Sequence, residues 1–389
     1  MKLSGLRVLD LSQFLPGPHL TMTMADHGAD VIMIEPPDGA GEPSRALGAR
    51  TKDGASVWFR NIARGKRSLK LNLKDAAGRD LFLKLAAKTD VVVEAFRPGV
   101  AKRLGVDYEA VSAINPRVVY CAITAFGQNG PYRDRPAHDL AVQGLVGTVD
   151  LTRGLTDDAP SAPGVLAADM AGSLTALSAI LMALLARERS GKGEFVDIAM
   201  YDSLLAWTPS VTGPVFAEDR APTPKDMRPF GGQAMNRIYE TADGRHVILG
   251  GSEVKFAENL LRALGRLDQL RYAKVEPGAG QKPLIDFFVG LFKTKPLADW
   301  ETFLSGVDLC WAPVRSLKDA FADPHTAARG MNPQDAAGNR HIGPAVKFAN
   351  DPAAPDLRLP GYGEHSEDIA REAGLSEDEI AALKARGVI

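Results

Sequence analysis

Apolar positions along the chain recur with two different periods, and the switches between them mark out the elements. Leu6–Leu11 (LRVLDL) is a nearly continuous apolar run, the pattern of a buried strand. The loop SQFLPGP leads into a helical stretch from about His19 to His27. Gly28 closes it, and DVIMIE at Asp30–Glu35 is the next strand. Strand, helix, strand makes a βαβ unit, so the sheet starts parallel. Ser68–Leu73 then alternates as a strand, Ala76–Lys88 is an amphipathic helix, and Asp90–Glu94 and Arg117–Ile123 are further strands. Leu174, Leu177, Ile180, Leu181, Leu184 and Leu185 recur at helical spacing, Ser190-Gly191 stops that helix, and EFVDIAM follows as a strand. Beyond it the pattern predicts a hairpin at Ile238–Gly250 and a helix running to about Leu264. Helices at Lys282–Leu291 and Leu297–Leu304, a strand at Val307–Val314 and a closing helix at Ser376–Ala385 complete the reading.

These elements predict an α/β protein: a Rossmann-like open sheet in a large domain, with a small α/β domain beside it. The large domain takes residues 1–207, a proline-rich linker 208–230, the small domain 231–318, and 319–389 a linker and a C-terminal part returning to the large domain. The first loop lacks GxGxxG, which argues against a dinucleotide site.

The 389 residues are 45% hydrophobic and 24% charged, with a net charge of -2. Nothing in that balance calls for a nucleic-acid or anionic-membrane partner. Two cysteines, Cys121 and Cys310, stand far apart without CxxC spacing; they argue against a structural zinc site and fit a reducing cytoplasm, the expected compartment. No metal site is expected. The longest apolar run, near Ile180–Ala186, reads as too short to span a bilayer.

Candidate chemistry starts at Asp169, a carboxylate where an apolar run opens into a helix. Read alone it is most economically an N-cap. The free N–H groups and dipole of a helix start also favour an anion there, and the N–H groups near Met170 and Ala171 are candidate donors to a developing oxyanion. Ligands of open α/β sheets bind beyond the carboxyl ends of the strands. Arg64, Lys66, Arg67 and Arg97 are candidates to face that edge, against the plainer reading of a solvated basic surface.

Several stretches in order carry a resemblance: MADHGADVIMIE, GKRSLKLNLK, VVVEAFRPGVAKRLG, NPRVVYCAITAFGQNGPY, RERSGKGEFVDIAMYD and the closing GEHSEDIAREAGLSEDEIAALKARGVI. Together they resemble the class III CoA-transferase superfamily (CaiB/BaiF type), which includes the α-methylacyl-CoA racemases. The resemblance implies an interlocked homodimer, with an active site between the large domain of one subunit and the small domain of the other. It implies an acyl-CoA thioester as substrate and no permanently bound cofactor. Arg64, Lys66, Arg67 and Arg97 would then neutralise CoA phosphates. Phe96 and Phe126, with the adjoining Gly127, would pack on the adenine or pantetheine.

Two chemistries share that scaffold. In the transferases the helix carboxylate, here Asp169, is a nucleophile that passes CoA between acids. In the racemases it is half of an acid–base pair with a His in a Gly-His-Asp motif, supported by a small-domain Glu. This chain has Ala137-His138-Asp139, Ala168-Asp169 and Gly250-Gly251-Ser252-Glu253 in those places, departing only in Ala137. That set makes epimerisation of a 2-methyl-branched acyl-CoA by His138 and Asp169, with Glu253 steadying the imidazole, the expected activity. CoA transfer through Asp169 is the alternative, and a non-catalytic CoA-binding protein the third reading.

Overall fold

The valine- and isoleucine-rich runs form one six-stranded parallel sheet. Its strands are β1 (Arg7–Asp10), β2 (Asp30–Glu35), β3 (Arg67–Lys70), β4 (Val91–Glu94), β5 (Val119–Thr124) and β6 (Glu194–Ala199). Their order is β3-β2-β1-β4-β5-β6, the doubly wound order of dinucleotide-binding sheets, although the first loop carries no glycine fingerprint. This computed structural model describes residues 1–154 and 158–389.

Both faces of the sheet are covered, which is why its strands read as continuous apolar runs rather than alternating ones. On one face Val8, Val31, Val91, Val93, Val119 and Ile123 pack with Leu20, Met24 and Ile180 of the helices Pro16–Asp26 and Ala167–Ser190. On the other, Leu9, Ile32, Ile34, Val92 and Tyr120 pack with Leu81, Phe82 and Leu85 of the helix Ala76–Ala86. Ile369, Ile380, Leu383, Val388 and Ile389 complete that second layer, and Asn72 donates its backbone N–H to Val388. Each fully buried side chain of this size contributes about 1.5–3 kcal/mol. Gly17 is required where the first helix leaves β1: a Cβ there would lie 2.1 Å from Ser12 Oγ.

By internal contacts the chain divides into two units. The first takes Met1–Val146, Val165–Trp207 and Asp323–Ile389, and the second Gly147–Gly164 and Thr208–Ala322. The second unit contains the antiparallel strands β7 (Asn236–Glu240), β8 (His246–Gly250) and β9 (Trp311–Pro313), with a core of Tyr239, Phe288, Phe292 and Trp300. β9 is shorter than the apolar run Val307–Val314 predicts. The stretch 208–230, read as a linker, belongs to the second unit and carries the short helix Gly213–Glu218.

The helix Ala167–Ser190 is the structural centre of the first unit. Over its 24 residues it is long and apolar enough to cross a membrane by length and composition, a property the short run Ile180–Ala186 understates. Here it serves as a core helix against the sheet and the helix Pro16–Asp26. One side, with Leu174, Leu181, Met182 and Leu185, is left exposed in the single chain.

Candidate active site

The strand order reverses between β1 and β4, and the loops that leave their carboxyl ends diverge there, opening a crevice. A cleft of about 910 Å³ occupies it. Gln13, Phe14 and Pro16 line it from the loop after β1, and Ala95–Pro98 from the loop after β4. Ile123–Phe126, Arg133 and Arg135–His138 come from β5 and the segment beyond it. Asp169 closes it from the first turn of the long helix. All of these residues belong to the first unit.

Asp169 and His138 thus share one cleft. Asp169 does not cap its own helix, because that role falls to Asp139. The Asp139 carboxylate is buried and accepts the backbone N–H groups of Ala168 at 2.8 Å and Asp169 at 3.1 Å, and the Gln143 amide at 2.7 Å. Among the described residues no hydrogen bond is found to the Asp169 carboxyl. Burial first, and then repulsion from Asp139, push Asp169 up to about 7. A carboxyl poised there holds and releases a proton at neutral pH. The Met170 N–H, a candidate oxyanion donor in the sequence, is taken by the Leu166 carbonyl.

His138 stands exposed one residue before the helix Asp139–Val146, with its ring edge-on to Phe14 at 5.9 Å between centroids. Glu253 belongs to the second unit. It precedes the helix Val254–Ala263 at the N-cap position, is exposed, and its side chain makes no capping bond.

The basic residues separate into two groups. Arg97 is exposed and lines the cleft, as do Arg133 and Arg135. Arg64, Lys66 and Arg67 do not face it, which corrects their expected role. Arg64 makes a two-point pair with Asp26 at 2.9 and 2.6 Å, with both side chains buried. Lys66 is fully buried against Asp10 at 2.9 Å and also bonds the Pro18 carbonyl. Arg67 opens β3 at the amino edge of the sheet, where it pairs with Asp30 and clasps Glu372 of the C-terminal segment. The charges of Arg64, Lys66 and Arg67 are thus matched inside the fold by Asp26, Asp10, Asp30 and Glu372.

Phe96 and Phe126 line the cleft, and Phe126 packs edge-on to Tyr132. Gly127 is buried behind it with φ +84°, and its N–H is held by Thr124 Oγ1 at 2.8 Å; it shapes the turn rather than the lining. Among the described residues no group of three or more His, Cys, Asp or Glu is placed to hold a metal. The sequence reading missed Phe14, Arg133, Arg135 and the capping role of Asp139. Only the last three had a signal, their closeness to His138 in RDRPAHD.

The family model of CoA-transferase family III matches residues 3–366. The chain belongs to CoA-transferase family III. Relatives of this family member include enzymes of two reaction types. The succinyl-CoA:glutarate CoA-transferase of Mus musculus is 31% identical, the match covering all of this chain and 90% of the mouse protein. The α-methylacyl-CoA racemase of Homo sapiens is 32% identical, covering all of this chain and 98% of the human protein. Among solved structures, a CaiB/BaiF family protein from Brucella suis superposes with a TM-score of 0.83 at 31% identity, covering 95% of this chain and 99% of that one. The family and these relatives are enzymes, which removes the non-catalytic reading.

Proposed function

We propose that this CoA-transferase family III member epimerises a 2-methyl-branched acyl-CoA by moving the α-proton between His138 and Asp169. The observation that carries the proposal is the cleft itself. An imidazole and a carboxyl held near 7 line one cavity at the switch point of the sheet. Racemising a carbon beside a thioester removes a proton from one face and returns one to the other, so it needs two groups that each work in both protonation states. Imidazole does this by nature. Asp169 does it because burial and Asp139 hold its proton near neutral pH. In one direction His138 takes the α-proton, the thioester carries the negative charge as an enolate, and protonated Asp169 delivers its proton to the opposite face. The reverse direction exchanges the roles. Arg97 and Arg135 are the exposed cations suited to the CoA phosphates.

The second reading is CoA transfer, favoured by the comparable identity to the mouse succinyl-CoA:glutarate CoA-transferase. There the Asp169 carboxylate attacks the thioester carbonyl, a mixed anhydride forms and CoA thiolate leaves. The thiolate then attacks the aspartyl carbonyl, releasing the first acid and leaving an enzyme thioester from which a second acid takes CoA by the same two steps. The test is mass spectrometry of deuterium uptake at the α-carbon in heavy water across an acyl-CoA panel. A transfer assay from succinyl-CoA to free acids runs beside it. Exchange with a branched acyl-CoA, reduced about 10²–10⁴-fold in His138→Ala, is the expected result. No exchange with any branched substrate, together with a hydroxylamine-cleavable enzyme thioester, gives the second reading instead.

We also propose that the enzyme works as a homodimer. The exposed apolar side of the helix Ala167–Ser190, with Met182 at 69% and Leu185 at 66% exposure, supports a second copy covering it. Met182→Glu combined with Leu185→Glu should then turn a dimer into monomer by light scattering. A wild-type monomer would end the proposal.

A further inference from the structure

Among the described residues that line the cleft, Phe14 is the non-glycine with a positive φ. Its φ is +67°, in the left-handed region that a side chain with a Cβ rarely adopts. Such a conformation persists only where its surroundings impose it. Both backbone polar groups of Phe14 are held by side chains from the excursion between β2 and β3. The Phe14 N–H donates to Glu42 Oε1 at 2.8 Å, and the Phe14 carbonyl accepts from Trp58 Nε1 at 3.1 Å. Glu42 is 2% exposed, and its other oxygen accepts the Ser44 N–H at 2.7 Å and the Ser44 hydroxyl. Its own N–H is fixed at 2.8 Å by Glu35, the last residue of β2. Glu35 is gripped at both oxygens by Arg45 and bonded by Ser68 Oγ on β3.

We infer that Glu42 is a positioning residue for the candidate active site: through the backbone of Phe14 it fixes the aromatic wall against which the His138 ring stands. A continuous chain of contacts runs from the carboxyl end of β2 through Glu35, Glu42 and Phe14 to the edge of the imidazole. Glu42 lies outside the lining of the cleft and touches no reacting atom. Without its carboxylate the Phe14 N–H loses its acceptor, and the bond from Trp58 to the Phe14 carbonyl is left as the one described side-chain hold on the left-handed conformation. The loop after β1 then relaxes toward ordinary backbone angles, and the ring turns away from His138. The catalytic consequence rests on the acid–base reading of His138, whereas the structural consequence does not.

The test uses the full-length protein with ¹³C-labelled histidine, the His138 signal being assigned by its loss in His138→Gln. The Phe14 ring current acts on that imidazole, so Phe14→Ala moves the signal. Glu42→Ala should move it in the same direction by at least half as much. It should also lower kcat, for whichever of exchange or transfer the wild type performs, by about tenfold with KM within about twofold. In the Phe14→Ala background, Glu42→Ala should cost less than about twofold more, because both act through one contact. Glu42→Gln keeps an acceptor for the Phe14 N–H and should fall between wild type and Glu42→Ala; it also serves if the alanine variant does not fold. A His138 signal unmoved in both Glu42 variants while Phe14→Ala moves it, or losses that multiply in the double variant, would overturn the inference. A wild type that neither exchanges nor transfers would sink the functional proposal instead, and the spectra would still decide the role of Glu42.

Discussion

Asp169→Asn removes a titration and little else, so its effect on stability can be worked out before the experiment. An ordinary aspartate ionises near 3.8, and Asp169 in the folded chain near 7. Between those two pH values the folded state holds a proton that the unfolded state has released. Stability therefore falls as pH rises through that window, and the loss is complete above the folded value. Each pH unit between the two is worth about 1.4 kcal/mol, so three units set a ceiling of about 4 kcal/mol. The cleft admits water to one side of the carboxyl, and screening brings the expected loss to roughly 2 kcal/mol. The asparagine is nearly isosteric and does not ionise. The two proteins should melt alike near pH 4, and Asp169→Asn should gain steadily to a plateau above pH 7. For a unit of this size the plateau corresponds to roughly 4–8 °C in Tm. The assay is thermal unfolding of both proteins at half-unit pH steps from 4 to 8.5, read as the difference between the curves, in which every other titrating group cancels. A difference that stays flat across the window, or that favours the wild type above pH 7, refutes the burial argument for Asp169.

Asp139→Asn keeps an acceptor for the Ala168 and Asp169 N–H groups but removes the charge that opposes Asp169. The limb of the pH–rate profile assigned to Asp169 should move toward acid, while Asp139→Ala should also cost about 1–3 kcal/mol in unfolding experiments for the buried donors it strands. Lys66→Met leaves the buried Asp10 carboxylate without its cation and should destabilise the fold by about 3–5 kcal/mol in urea titrations. Arg97→Met should leave the melting temperature within about 2 °C and raise KM for acyl-CoA in steady-state kinetics, the difference shrinking at high salt.

The sheet was legible in the sequence because a strand buried on both faces has to be apolar throughout. Asp30–Glu35 is the clearest case, predicted and found with the same ends. The helix Leu297–Leu304 was equally plain, since its period places Trp300 and Leu304 inside. The basic run was misread because sequence shows charge and not its partner. Asp26, which neutralises Arg64, is 38 residues away, and Asp10, which neutralises Lys66, is 56 away. Only the folded βαβ unit brings those pairs together. Phe14 was invisible for a related reason. Nothing in SQFLPGP announces a left-handed phenylalanine, because the groups that impose it, Glu42 and Trp58, lie beyond the next strand.

Asp169 shows most sharply what a one-dimensional reading leaves undecided. A carboxylate at a helix start is a cap unless something else occupies the donors, and here Asp139 occupies them. Two carboxyls then share one helix terminus with unequal means of carrying charge. Asp139 has the N–H groups and the Gln143 amide, whereas Asp169 has burial and a like-charged neighbour. The dipole that favours an anion at that end is thus directed to Asp139, which is not part of the cleft lining. The one facing the cleft keeps its proton to near neutral pH. Such an arrangement makes Asp169 a poor permanent anion and a good exchanger of protons, because each form is within reach of the other at small cost. A nucleophile that must stay ionised to attack a carbonyl would be better served by the donors Asp139 has taken away. That asymmetry is the physical argument behind the proposal of proton transfer, and the paired exchange and transfer assays decide it against carbonyl attack.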